Sequence, residues 1–311
     1  MGRLFNITVT AAVLGVGPAA MAKPHLTVAY AGSMGVVMDR YVGPAFAAKH
    51  HCRYRGIGQG AWALARLIGN KRMRPDVFVS ITAGPMAYLQ HKKLVRRFRT
   101  VASTQMVIAY SPRSRFKKAL ALAASGKKPW YKVLETPGLR FGRTDPRTDP
   151  QGRNIIFTFL LAQRYYKKPA MMRNILGRVE NPRQIFSEPS LLARLEAGQI
   201  DAASGYLSAV KSRHLPYITL PAQINLSKKR LFTTWYSKVG FTLRGVNGAP
   251  HVVRPQPLVF CAAVPLDARH KALARKFIAY LRHGPGRAML KKTGYAPAAL
   301  GAKAKAGQNK K

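Results

Sequence analysis

Carboxylates are what this sequence most lacks. Its 311 residues carry 10 Asp plus Glu against 53 Lys plus Arg, a formal net charge of +43. General acid–base catalysis draws on paired carboxylates or on a His oriented by an acid, so ten acids leave few candidates. The 8 His show no H-E-x-x-H spacing, and His50-His51 reads as an exposed helix end rather than a metal fragment. No G-x-G-x-x-G and no P-loop is present. Cys52 and Cys261 are the only cysteines, each in an apolar, strand-like run, so a disulfide and two buried free thiols both stay open. Beyond the N-terminus no segment is long and apolar enough to span a membrane. No run of five like charges occurs, so the basicity is dispersed along a folding chain rather than gathered in a tail.

What is present is enough for a core: 47% hydrophobic residues, 9% of the chain being aromatic. This length predicts one large domain or two lobes. Met1-Gly2-Arg3, the mostly apolar Leu4 to Ala19 and the A-x-A of Ala20-Met21-Ala22 read as a secretory signal over 1–22, with the mature chain starting near Lys23. A membrane anchor is the competing reading, but Asn6, Thr8, Thr10 and Pro18 interrupt the apolar run. Export and basicity together predict a periplasmic protein in an acidic space, where protonated carboxylates solubilise poorly and Lys and Arg take over that role. A basic exported protein that binds nucleic acid or polyphosphate nonspecifically is the alternative. Salt dependence separates the two, because charge-neutralising binding weakens steeply with salt.

Strand-like and helix-like segments alternate. Strands are predicted at 25–31, 52–58, 76–80, 105–111, 139–142, 200–207, 217–221 and 258–264. Helices are predicted at 35–50 (interrupted at Gly43-Pro44), 61–70, 153–168, 189–198 and 268–284. This order implies an α/β fold with mainly parallel sheets. Of the pair Tyr165-Tyr166, helix geometry turns one toward the core. The small, basic stretch 299–311 is expected to be a disordered tail.

Three small or Gly-rich junctions, 31-AGSMG-35, 58-GQGAW-62 and 149-DPQGRN-154, each lead from a strand into a helix. A helix start offers free N–H groups and the positive end of its dipole, so several together make an anion socket. One such junction by itself would more commonly serve only as a turn or cap.

At these junctions the chain resembles the substrate-binding proteins of molybdate/tungstate ABC importers. The motifs are Ala31-Gly32-Ser33 after the opening strand, 60-GAWALAR-66 leading into 76-DVFVS-80, 142-GRTDPRTDPQG-152, 188-EPSLLARLEAGQIDAASGYLSAV-210, 217-YITLPAQINL-226, and a closing helix over 271–295. The resemblance implies a two-lobe periplasmic-binding-protein fold of type II with the ligand in the cleft. Lobe 1 is expected over 23–107 plus 231–298, and lobe 2 over 108–230. It implies capture of a tetrahedral oxyanion, molybdate or tungstate with sulfate as competitor, for an inner-membrane ABC permease. No catalytic residue, metal or cofactor is expected, nor nucleic acid, and the protein should be a monomer. Ser33 should donate its hydroxyl and N–H, Ala61 and Gln151 their backbone N–H groups, and Tyr206 its phenol. Asp149 matches the position of a carboxylate brought to the anion, while Asp145 forms the turn. Where the family carries Ser the chain has Ala61, and where it carries a second carboxylate the chain has Gly205.

Overall fold

The computed structural model describes residues 23–244 and 248–297. The expected signal segment 1–22 and the tail 299–311 lie outside them. The chain begins with β1 (His25–Ala31), then helical residues 32–49, in which α1 (Gly35–Val37) and α2 (Gly43–Lys49) flank one wide turn. It continues through β2 (Arg53–Gln59), α3 (Ala61–Gly69), β3 (Val77–Ser80), α4 (Ala83–His91) and β4 (Arg99–Ser103). A second group holds β5 (Met106–Tyr110), α5 (Lys117–Ala124), α6 (Trp130–Leu134), β6 (Phe141–Thr144), α7 (Pro150–Tyr166) and α8 (Met171–Leu176). It ends with β7 (Ile185–Phe186), α9 (Glu188–Glu196), β8 (Ala202–Tyr206), α10 (Leu207–Ser212) and β9 (Tyr217–Thr219). After these come a ribbon of β10 (Phe241–Arg244) and β11 (Pro250–Val253), then β12 (Val259–Ala263), α11 (Lys271–His283), α12 (Pro285–Lys292) and β13 (Ala296–Pro297).

Two sheets result. One runs β13-β4-β12-β3-β1-β2 and the other β7-β6-β8-β5-β9. The mainly parallel sheets expected from the alternation are only half of what is found. β1 is parallel to β2 and β3, and β6 to β7 and β8, but β12, β13 and β5 pair antiparallel with all their neighbours. Parallel neighbours need a crossover connection between them, commonly a helix. β5 follows β4 directly from the other sheet, and β12 returns after the ribbon, so neither has such a helix before it. The two sheets with their helices make the α/β, two-lobe architecture expected of the chain.

Some boundaries also moved. The Gly43-Pro44 break does not occur. The Gly43 N–H bonds the Met38 carbonyl five residues back, and this wider turn takes the preceding carbonyl away from the Pro44 ring. The helix expected at 153 starts at Pro150, and the closing helix is divided at Gly284. Cys52 and Cys261 are buried free thiols. β12 stands three positions from β2 in the sheet, beyond the ~7 Å Cα reach of a disulfide. Tyr165 is exposed, whereas Tyr166 packs at the core and accepts from Trp130 Nε1 at 3.2 Å.

Buried Asp201 ties the second sheet together. It accepts from the Arg140 N–H (2.8 Å), the Arg140 guanidinium (3.0 and 3.2 Å) and the Ser114 hydroxyl (2.8 Å). Burial acts to raise its pKa, but these donors outweigh it and hold the carboxyl below the usual range. Asp201→Ala strands a backbone N–H and a hydroxyl, so urea unfolding should show a loss of about 2 kcal/mol. An unchanged midpoint would show that solvent replaces these bonds.

Candidate functional site

The segment Gly142–Gly152 separates the roles of its two carboxylates. Asp145 makes the turn: its Oδ1 accepts the Arg147 N–H at 2.8 Å, and the Arg147 guanidinium clamps the carboxylate at 2.8–3.2 Å. Asp149 is the N-cap of α7, with Oδ1 accepting the Gln151 N–H at 2.8 Å and Pro150 in the first turn. Its other oxygen, Oδ2, is buried and makes no hydrogen bond. Gly152 permits this arrangement, since a Cβ there would stand 2.3 Å from the Thr144 carbonyl oxygen.

Other helix starts meet this turn. Gly60, the N-cap of α3, lies so close that a Cβ would stand 2.8 Å from the Thr148 carbonyl and 3.3 Å from Asp149 Cβ. Ala61 therefore opens α3 beside Asp149, and the Ala63 N–H is spent on the Thr148 carbonyl at 3.2 Å. Ser33 sits in the helical turn after β1, with its carbonyl accepting the Tyr295 hydroxyl at 3.2 Å. From β8, the Tyr206 hydroxyl accepts Asn154 Nδ2 at 2.9 Å, which leaves its own proton to donate. Ser33, Ala61, Asp149, Gln151 and Tyr206 are all at most 4% exposed.

Gln151 differs from the expectation in one respect. Its N–H is taken by Asp149, so the group left over is the side-chain Nε2, while Oε1 accepts from Ser204 Oγ at 3.0 Å. Gly205 faces away from the cluster, and a Cβ there would point at Val210, Ala109 and Val107.

Glu188 opens the 188–210 motif, but no role in the site was expected of it. Ser187 holds the cap position without a side-chain bond, and Glu188, first residue of α9, turns inward. It is 5% exposed, neither oxygen completes a hydrogen bond, and Oε2 lies 2.9 Å from where a Gly32 Cβ would be. Burial raises its pKa, and the neighbouring Asp149 carboxyl raises it further, against Ser33, which favours the charged form. Asp149 is raised in turn, by burial above all, opposed by the Gln151 N–H. Burial and then both carboxyls raise Tyr206, which stays a neutral phenol. The available signal was Glu-Pro at a helix start in a chain this poor in acids.

Seven buried side-chain atoms in this region lack a well-formed hydrogen bond: Ser33 Oγ, Thr144 Oγ1, Asp149 Oδ2, Gln151 Nε2, both Glu188 oxygens and Ser208 Oγ. Several face one another at close range, Ser33 acting on Glu188, and Thr144 and Glu188 on Asp149. Buried polar groups are ordinarily paired. Such a cluster, made of neutral donors, helix starts and two carboxyls biased toward protonation, with the charge of Arg153 reaching Asp149, is suited to hold an anion.

The family described as bacterial extracellular solute-binding protein matches residues 26–296. A relative in Haloferax volcanii, named provisionally as a molybdenum-binding protein of an ABC transporter, is 32% identical over 248 residues, 79% of this chain and 75% of its own. The molybdate/tungstate-binding protein of Pyrococcus abyssi is 29% identical over 208 residues, 60% of this chain and 58% of its own, so the chain spans under two thirds of that relative. The periplasmic molybdate-binding protein of Azotobacter vinelandii shares the fold with a TM-score of 0.60 at 16% identity, over 88% of this chain and 100% of that one. A structure with two sheets whose helix starts converge on buried donors, and a sequence matched over nearly all its described length, give one conclusion: the chain belongs to the bacterial extracellular solute-binding protein family.

Proposed function

We propose that this protein captures a tetrahedral oxyanion, molybdate or tungstate with sulfate as competitor, and delivers it to an inner-membrane ABC permease. The observation that carries this reading is the cluster of buried, under-satisfied polar groups where helix starts from both sheets meet. The anion would lie between lobe 1 (23–107 with 231–298) and lobe 2 (108–230), accepting from Ser33, the Ala61 N–H, Gln151 Nε2 and Tyr206. Asp149 and Glu188, when protonated, would add O–H donors. Because these side chains are almost fully buried, the lobes must part to admit the anion and close over it, as in hinge closure. The protein would act as a monomer, exported by cleavage after Ala22 into an acidic space.

Calorimetry on the mature protein with molybdate, tungstate and sulfate tests the reading, and micromolar or tighter binding is expected. No heat with any of the three would end it. Ser33→Ala should weaken binding by about 1–3 kcal/mol, the cost of one buried donor lost. Unchanged affinity would place the socket elsewhere.

A further inference from the structure

Beside the socket lies a pocket of about 1150 Å³, much more than one tetrahedral oxyanion fills. Thr148, Pro150 and Asn154 form part of its wall, so it adjoins the Asp149 turn from outside. Five arginines line it from three parts of the chain: Arg66 on α3, Arg147 and Arg153 around the start of α7, and Arg244 and Arg254 on and just after the β10–β11 ribbon.

Two of these guanidiniums converge on one acceptor. Arg66 reaches the Arg147 carbonyl with Nη1 and Nη2, both at 3.3 Å, and Arg153 reaches the same oxygen with Nη2 at 3.5 Å. Arg66 belongs to the half built on β1–β3, and Arg153 to the half built on β6 and β8. The Arg153 guanidinium is half-buried and lies over the Trp62 ring at 4.8 Å. Burial, and next the charge of Arg66, lower its pKa to about 10. Asp149 and then Asp145 act on Arg153 in the opposite sense, but Asp149 is buried as the cap of α7 and Asp145 is already clamped by Arg147. Like charges gathered on one neutral oxygen repel, and an anion among them relieves the repulsion. A planar guanidinium fork matches phosphate-like oxygens two at a time.

We propose that this pocket is a second anion site, separate from the Ser33–Asp149 socket, which takes a condensed oxyanion of three or more charges across the two lobes. Linked tetrahedra match the guanidiniums of Arg66, Arg153, Arg244 and Arg254, spread over three walls, where a single tetrahedron meets few of them; Arg147 stays on Asp145. The chemistry is that of a phosphoanhydride chain, carried free or on a nucleotide.

Titration of the mature protein with inorganic tripolyphosphate, before and after saturation with molybdate, tests the proposal. One tripolyphosphate per protein is expected in both cases. Arg66→Gln/Arg244→Gln should weaken it tenfold or more, while Lys117→Gln/Lys118→Gln on α5, an equal charge change away from the pocket, should leave it within twofold. Circular dichroism on both variants confirms folding. No tripolyphosphate binding, equal weakening by both pairs, or full displacement by molybdate would each overturn the second site. The ligand-free titration stands even if molybdate does not bind, so failure of the oxyanion reading is distinguishable. ATP serves as a parallel arm: affinity equal to tripolyphosphate assigns the site to nucleotides as well, and weaker affinity assigns it to the free chain.

Discussion

Asp149→Asn with Glu188→Gln should make molybdate binding almost independent of pH, whereas the unsubstituted protein should bind more weakly as pH rises. Both carboxyls are buried, and both are pushed above the usual carboxylate range, Asp149 by burial above all and Glu188 by burial and then by Asp149. A dianion placed against them favours their protonated forms further, so binding takes up protons. By linkage, each proton taken up lets affinity fall by up to about tenfold for each unit of rising pH, or about 1.4 kcal/mol. The direction follows from charge: protonated, each carboxyl is a donor to the anion, and ionised it repels. Asn and Gln supply neutral donors of similar shape, so the substituted protein should keep its low-pH affinity and lose the slope. Calorimetry from about pH 4 to about pH 7, over the range in which the anion stays a dianion, reads both. If Asp149→Asn abolishes binding at every pH, the carboxylate coordinates the metal centre directly and the protonated-donor account is wrong. With Gly205 in place of the family's second carboxylate, Asp149 alone would leave the ligand a plain tetrahedron held by hydrogen bonds. Glu188 restores a second carboxyl to the site from a different helix, so the pH slope becomes the measurement that decides between the two accounts.

Gly152→Ala should cost about 3 kcal/mol of stability or more and remove oxyanion binding together with it. The added Cβ would stand 2.3 Å from the Thr144 carbonyl oxygen, 2.7 Å from Pro146 N and 2.8 Å from the Asp145 carbonyl carbon. All three are backbone atoms. They belong to a turn held by Pro146 and by the Asp145–Arg147 clamp, so no flexible side chain can move aside. Relief requires α7 and its cap to shift, which displaces Asp149 and Gln151. Gly35→Ala is the internal comparison. Gly35 has helical φ −50°, and a Cβ there meets nothing within 4 Å. That change should stabilise by about 0.4–1 kcal/mol through the unfolded chain. Urea midpoints for both variants check the contrast, and a Gly152→Ala loss under about 1 kcal/mol would show that the turn is softer than its contacts imply.

The α/β order was legible because each segment carries its own period and punctuation. β1 was read to the residue, α3 ends one residue before its predicted end, and Pro189 marks the first turn of α9. α7 starts three residues before its predicted position, because Asp-Pro serves a turn as readily as it serves as a cap and first-turn pair. Pairing direction was not legible. β5 and β12 are apolar runs like those of a parallel sheet, and only the route of the chain between the two sheets turns them antiparallel.

By itself, then, the sequence determined which junctions open helices and that Ser33, Ala61 and Asp149 stand at them, because capping and turn chemistry act over three or four residues. Tertiary structure alone decided the rest. It spent the Gln151 N–H on Asp149 and turned the Gly205 position toward Val210. It also set Glu188 beside an aspartate 39 positions earlier in the chain. The reason is physical: a side chain's desolvation and its charged neighbours depend on which elements pack against it, and that packing is settled across the cleft, far beyond the reach of any local pattern.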